Sequence, residues 1–166
     1  ALRMLAGLAR PSSGEIRIYG KSVVEESVRR RIGILIESPG LYPGQTAQEN
    51  LWLAACCLGI AQEKRRIGEV LEQVGLENTG KKKVKQFSMG MKQRLGLGMA
   101  LLGSPDLLLL DEPINGLDPE GMAEVRNLLE KLNREKGITI LLSSHILGEL
   151  SKLATRYGII RNGSLG

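Results

Sequence analysis

The stretch Leu107-Leu108-Leu109-Leu110-Asp111-Glu112-Pro113 decides the fold. Four leucines in a row show no alternation of polar and apolar residues, so a strand here must be buried on both faces. Strands of that kind belong to mainly parallel α/β sheets covered by helices. The run stops at two acids, which places both carboxylates at the C-terminal edge of the sheet. Open α/β sheets bind their ligands at that edge.

Two more short apolar runs, residues 32–36 and 138–142, read as further buried strands. Residues 14–20 alternate polar and apolar side chains, as a half-buried strand does, and 157–160 reads as a last strand before an Asn162-Gly163 turn. Helices are expected at 62–74, 88–102, 119–136 and 146–153. Thr46 with Glu49 three residues on is a capping box, which starts another helix running to about residue 58. Pro119 suits the first turn of its helix, where a missing N–H costs little. The expectation is an α/β chain with a mainly parallel sheet flanked by helices. Residues 46–102, wholly helical, form an insertion between strands.

Composition narrows the class. The chain has 166 residues, enough for one domain of ordinary size, and 42% are apolar. Aromatics make up only 3%, so the core must be aliphatic. The two cysteines, Cys56 and Cys57, are neighbours, and a secreted disulfide framework is excluded. The longest apolar run, 51–60, is well short of the roughly 20 residues of a spanning helix. The start of the chain lacks the layout of a signal peptide. The formal net charge of +5 gathers partly at Arg29-Arg30-Arg31 and at Lys81-Lys82-Lys83 with Lys85. Neither cluster carries interleaved aromatics that could stack on bases, which disfavours nucleic acid as the partner.

Three features carry chemistry. Asp111 and Glu112 end the leucine strand; one carboxylate can hold Mg²⁺ and the other can take a proton from an attacking water. Ser88 opens a helix in Phe87-Ser88-Met89-Gly90-Met91-Lys92-Gln93-Arg94, and the free N–H groups of such a helix end can bind an anion. His145 comes just after the apolar run 138–142, past Ser143 and Ser144, which puts it on the same sheet edge as the two acids. Each has an ordinary structural explanation alone: acids are common in loops, serine is a favoured N-cap, and a lone histidine usually serves structure.

Their order in the chain changes the weighing. A serine-led helix, an apolar strand ending Asp-Glu, the turn Asn115-Gly116-Leu117-Asp118 and an apolar strand ending at His145 together resemble the ATP-binding subunit of ABC transporters. The resemblance covers essentially the whole chain. Residues 87–94 look like the signature motif, 107–112 like the Walker B strand, 115–118 like the D-loop, and His145 like the switch histidine. Glu37 stands where the family has its Q-loop residue. The pairing of Ile36-Glu37-Ser38-Pro39 with Ser88-Met89-Gly90-Met91 is most similar to exporters of the bacitracin-resistance and lantibiotic-immunity group.

The resemblance implies a P-loop NTPase-like fold and a transport-coupled ATPase that uses ATP and Mg²⁺. Glu112 and His145 would be catalytic. Ser88, Met89, Gly90, Met91, Asp118 and Glu37 would meet nucleotide, and Asp111 with Glu37 would meet the metal. The implied partners are a transmembrane permease and a second ATP-binding subunit, identical or different, at the cytoplasmic face of the membrane. Two other readings stay open: a soluble ABC-type ATPase acting on nucleic acid or ribosome, and a non-catalytic interaction module.

The sequence departs from the family in three places. Leu-Ser-Gly-Gly-Gln becomes Phe87-Ser88-Met89-Gly90-Met91, the usual glutamine is Glu37, and no Gly-x-x-x-x-Gly-Lys-[Ser/Thr] loop is present. Residues 1–8 look like the helix that follows that loop. The expectation is therefore one domain, 1–166, incomplete at its N-terminus. A nucleotide titration of the 166-residue chain should show negligible ATP binding, because the lysine and amides that grip the β- and γ-phosphates are not in it. Micromolar affinity would contradict this expectation.

Overall fold

A computed structural model describes residues 1–36, 38–161 and 164–165. In chain order the elements are α1 (Leu2–Leu5), β1 (Arg17–Ile18), β2 (Lys21–Ser22), α2 (Glu26–Arg29), β3 (Ile32–Leu35), α3 (Ala47–Leu58) and α4 (Glu63–Gln73). There follow α5 (Met89–Leu101), β4 (Leu107–Asp111), α6 (Pro119–Lys136), β5 (Thr139–Ser143), α7 (Leu147–Leu153), β6 (Ile160–Arg161) and β7 (Ser164–Leu165). Two short 3₁₀ turns, Glu77–Thr79 and Val84–Gln86, lie between α4 and α5.

The central sheet has the order β3-β4-β5, and both pairings are parallel. The expected α/β architecture is therefore present, with the leucine strand in the middle. Leu108, Leu109 and Leu110 are fully buried. Burial of each such side chain stabilises the fold by about 1.5–3 kcal/mol. One face of the sheet, through Leu35, Leu108 and Leu110, joins the main core with α5 and α6. The other, through Leu107 and Leu109, packs on Leu2, Leu5 and Ala6 around α1.

The helices form where their local chemistry dictates. Thr46 caps α3: its hydroxyl accepts from the Glu49 amide at 3.1 Å, and the Glu49 carboxylate accepts from the Thr46 amide at 2.7 Å. Ile67, Val70 and Val74 bury one stripe of α4 against α3 and α5, and Gly75 ends it in the left-handed region. Between residues 46 and 102 the regular structure is helical apart from one isolated bridge, Thr46 to Lys83. Of these helices, α5 also lies directly on β3 and α6, so it joins the helical layer to the sheet.

Some expectations need correction. Residues 138–142 do not form a strand buried on both faces: β5 is an edge, and Leu141 is 43% exposed. Ile34, in register with Leu109 and Leu141 on that same face, is 37% exposed. Both are apolar yet exposed, while Leu109 between them is covered by the cluster around Ala6. The alternating stretch 14–20 contributes only Arg17–Ile18, since Tyr19 and Gly20 adopt positive φ and turn the chain into β2. The strand expected at 157–160 is Ile160–Arg161, paired with Ser164–Leu165; the Asn162-Gly163 turn lies outside the described residues. Helix α2 has no counterpart in the sequence reading. Among the described residues no helix is long and apolar enough to cross a membrane, and both cysteines are free and exposed.

Close packing of α5 on β3 depends on Gly33, where an added Cβ would sit 2.3 Å from the Ala100 carbonyl oxygen. Gly33→Ala should lower stability by about 1–3 kcal/mol through overpacking. Gly68→Ala, in an open stretch of α4, should raise it by about 0.5–1 kcal/mol. Urea unfolding midpoints check both; equal midpoints for the two variants would contradict the packing argument.

Candidate functional site

The β4–β5 ladder runs one residue beyond the leucines, pairing Asp111 with Ser143. That last pair builds the rim. The Ser143 hydroxyl donates to Asp111 Oδ1. The Glu112 amide donates to the Ser143 carbonyl at 3.2 Å and reaches the Ser143 Oγ at 3.1 Å. Glu112 then leaves the strand with φ of 49°, a left-handed conformation unusual for a residue with a side chain. Such backbone costs about 1–3 kcal/mol and persists where its surroundings over-determine it.

The turn at Glu112 brings its carboxylate to the end of β5. Glu112 Oε1 lies 3.0 Å from His145 Nδ1. Glu112 Oε2 is buried and has no partner among the described residues. A buried acceptor without a donor is rare in folded proteins, and a water or hydroxyl proton is what it lacks. Ser144 Oγ accepts from the Ile146 amide at 3.1 Å, which shapes the turn carrying His145. Asp111, Glu112 and His145 therefore meet at one edge of the sheet, as the sequence order anticipates.

Helix α5 returns to that edge. It packs on β3 and leads into β4 through a short loop, so its N-terminus lies beyond the C-terminal ends of the strands. Ser88 is its N-cap, with the hydroxyl accepting from the Met91 amide at 3.2 Å, and it remains exposed. A hydroxyl that accepts one bond can still donate another. Met89 is exposed, Gly90 is buried and Met91 is half-buried. A Cβ added at Gly90 would lie 3.4 Å from the Gly121 Cα. Small residues at both positions thus let the first turns of α5 and α6 touch.

Asp118 sits at the N-cap of α6 and is exposed, with no side-chain capping bond. Pro119 at the first helical position lacks only an amide that would be unpaired there in any case. Gly121 leaves room for the carboxylate, since a Cβ there would be 2.9 Å from Asp118 Oδ1. Arg94 braces the arrangement from below, with Nη1 donating to the Val74 and Gly75 carbonyls and Nη2 lying 3.4 Å from Glu124 Oε2. Glu37 lies outside the described residues.

The donor set fits a hard divalent cation in a limited way. Asp111 and Glu112 offer carboxylate oxygens, as Mg²⁺ requires, and no cluster of three or more ligating side chains stands among the described residues. Mg²⁺ is typically held by one or two carboxylates together with substrate phosphates and water. Ser143 and Gly121 are site residues to which the sequence reading gives no role. The signal for Ser143 is its register: a hydroxyl residue opposite the first acid of a strand end.

Residues 1–115 match the protein family described as ABC transporter. The bacitracin transport ATP-binding protein BcrA of Bacillus licheniformis is 51% identical over 166 residues, covering 99% of this chain and 54% of that protein. The lantibiotic transport ATP-binding protein SrtF of Streptococcus pyogenes is 43% identical over 164 residues, covering 99% of this chain and 70% of that protein. The chain thus spans about half the length of the bacitracin relatives, at 54% of each. Among solved structures, cbiO1 from Clostridium perfringens, part of the ABC transporter complex cbiONQ, aligns with a TM-score of 0.86 at 26% identity. That alignment covers 98% of this chain and 68% of the other. The ATP-binding cassette MJ0796, a dimer bound to ADP and Pi in a post-hydrolysis state, aligns with a TM-score of 0.74 at 28% identity, over 89% of this chain and 69% of the other.

A carboxylate on α7 makes part of the stability depend on pH. Lys152 and then Arg126 hold the Glu149 carboxyl below the usual carboxylate range, and Arg126 Nη1 bridges α6 to α7 at 2.7 Å. A carboxyl depressed in the folded state contributes stability above its unfolded value and loses it as pH falls through the folded one. The stability difference between the parent and Glu149→Gln should therefore be present at neutral pH and vanish on acidification. Denaturant midpoints across the acid range measure it; a difference that does not change with pH would contradict the assignment.

Proposed function

Because the chain belongs to the ABC transporter family, we propose that its full-length protein is the ATP-hydrolysing subunit of a bacterial exporter of antibiotic peptides. The single observation that carries the chemistry is the Glu112 carboxylate. One of its oxygens is tied to His145 and the other is buried with no donor among the described residues, at the rim where the strands end.

In this reading the Glu112 carboxylate accepts the proton of the attacking water. His145, 3.0 Å away, holds that carboxylate in place and offers its outer ring nitrogen to the γ-phosphate. Asp111 takes the position that holds Mg²⁺, with Glu37 beside it by family likeness. When bound, the metal neutralises charge developing on the phosphates. Ser88, with the amides of Met89, Gly90 and Met91, faces the nucleotide of a second subunit, and Asp118 meets the subunit boundary. Exposure of Ser88, Met89 and Asp118 supports an interface there.

The same reading treats residues 1–166 as one ATP-binding domain whose helical part, about 46–102, docks on a transmembrane permease. The protein then works at the cytoplasmic face of the membrane without entering it. A nucleic-acid reading has less support: Lys83 of the basic cluster is paired with Glu49 at 3.2 Å, and Lys82 lies over the Phe87 ring.

In the full-length protein Glu112→Gln should abolish steady-state ATP hydrolysis while preserving ATP-induced dimerisation. Loss of a general base typically costs about 10²–10⁴-fold in rate. Phosphate release and sedimentation with and without ATP measure the two properties. Normal turnover by the variant would remove Glu112 from the role of base.

A further inference from the structure

We infer that Ser143 is a positioning residue that locks the two rim acids into one geometry through its hydroxyl. The inference rests on the roles proposed above for Asp111 and Glu112. Ser143 is in register with Asp111 at the last rung of the β4–β5 ladder. Its hydroxyl proton goes to Asp111 Oδ1, which restricts rotation of that carboxylate. Its oxygen receives the Glu112 amide at 3.1 Å, alongside the carbonyl of the same residue at 3.2 Å. One side chain thus donates to the first acid and accepts from the backbone of the second.

The arrangement matters because Glu112 stands in a strained conformation, with φ of 49°. Without Oγ, its amide keeps only the carbonyl, and Asp111 loses its hydroxyl donor. The Asp111–Glu112 peptide can then relax toward ordinary negative φ. Relaxation would swing the Glu112 carboxylate away from His145 and from the place where Oε2 is buried. Ser143 touches neither His145 nor any reacting atom in this account, so it acts through the two acids alone. The adjacent Ser144 serves a separate turn, receiving the Ile146 amide.

The test compares Ser143→Ala, Ser143→Val and Ser143→Thr in the full-length protein. Misplacement of a reacting group by about 1 Å can cost about 10²-fold, so kcat for ATP hydrolysis should fall by about 10- to 100-fold in Ala and Val. KM and the ATP dissociation constant should stay within about twofold, the mark of a loss felt only in the transition state. Thr, which restores the hydroxyl, should recover most of kcat; Val, its isostere without the hydroxyl, should not. Hydrogen exchange at the Glu112 amide gives a second readout that needs no turnover. It should quicken in Ala and Val and return toward the parent rate in Thr.

Parent-like kcat and parent-like exchange in Ala and Val would overturn the inference. So would equal behaviour of Thr and Val, because the effect would then follow shape and not the hydroxyl. If the parent itself does not hydrolyse ATP, the proposed function fails, while the exchange series still decides whether Ser143 holds the acids.

Discussion

The pairing of Asp111 with Ser143, one rung past the buried leucines, is the contact on which the rim depends. Three apolar rungs, 108–110 with 140–142, come directly before it and hold β4 on β5. A slip by one residue would turn every leucine to the opposite face of the sheet. It would also separate Ser143 from Asp111 and His145 from Glu112. The apolar core and the polar site are therefore enforced by the same ladder, and the strain at Glu112 is held by the stability of that ladder.

The second constraint is close approach. α5 must touch β3, the loop before α3, and the first turn of α6. At Gly33 the barrier to a side chain is the Ala100 carbonyl. At Gly96 an added Cβ would stand 2.7 Å from Pro39, and at Gly90 the neighbour is Gly121. These small residues let one helix bear on three parts of the fold. They also fix the exposed Ser88 relative to Asp118 at the neighbouring helix end. Mechanical contact between the helical layer and the rim runs through α5 in consequence.

Much of this was legible in the residues. The leucine run, short and ending in two acids, reads as a central strand buried on both faces. The Thr46–Glu49 box, Gly75 after α4 and Pro119 at α6 act locally, and the helix ends follow them closely. What pattern reading passes over is set by distant contacts. Leu141 of β5 is exposed although its run is apolar, which no local pattern announces. The short β1 follows from positive φ at Tyr19, which its side chain does not announce. Asp111, Glu112 and His145 are visible as chemistry at a strand end, but Ser143 gains meaning only when two strands are laid in register. Glu37 lies outside the described residues, so its place at the rim rests on family likeness alone.

The central claim is that the acids, the histidine and the exposed serine form two halves of one nucleotide site shared between subunits. The structure of the full-length Glu112→Gln protein bound to ATP and Mg²⁺ tests it most directly. The account predicts a dimer with each γ-phosphate between residue 112 and His145 of one subunit and Ser88 of the other. Nucleotide bound away from residue 112 and His145, or a dimer in which Ser88 faces solvent, would contradict it.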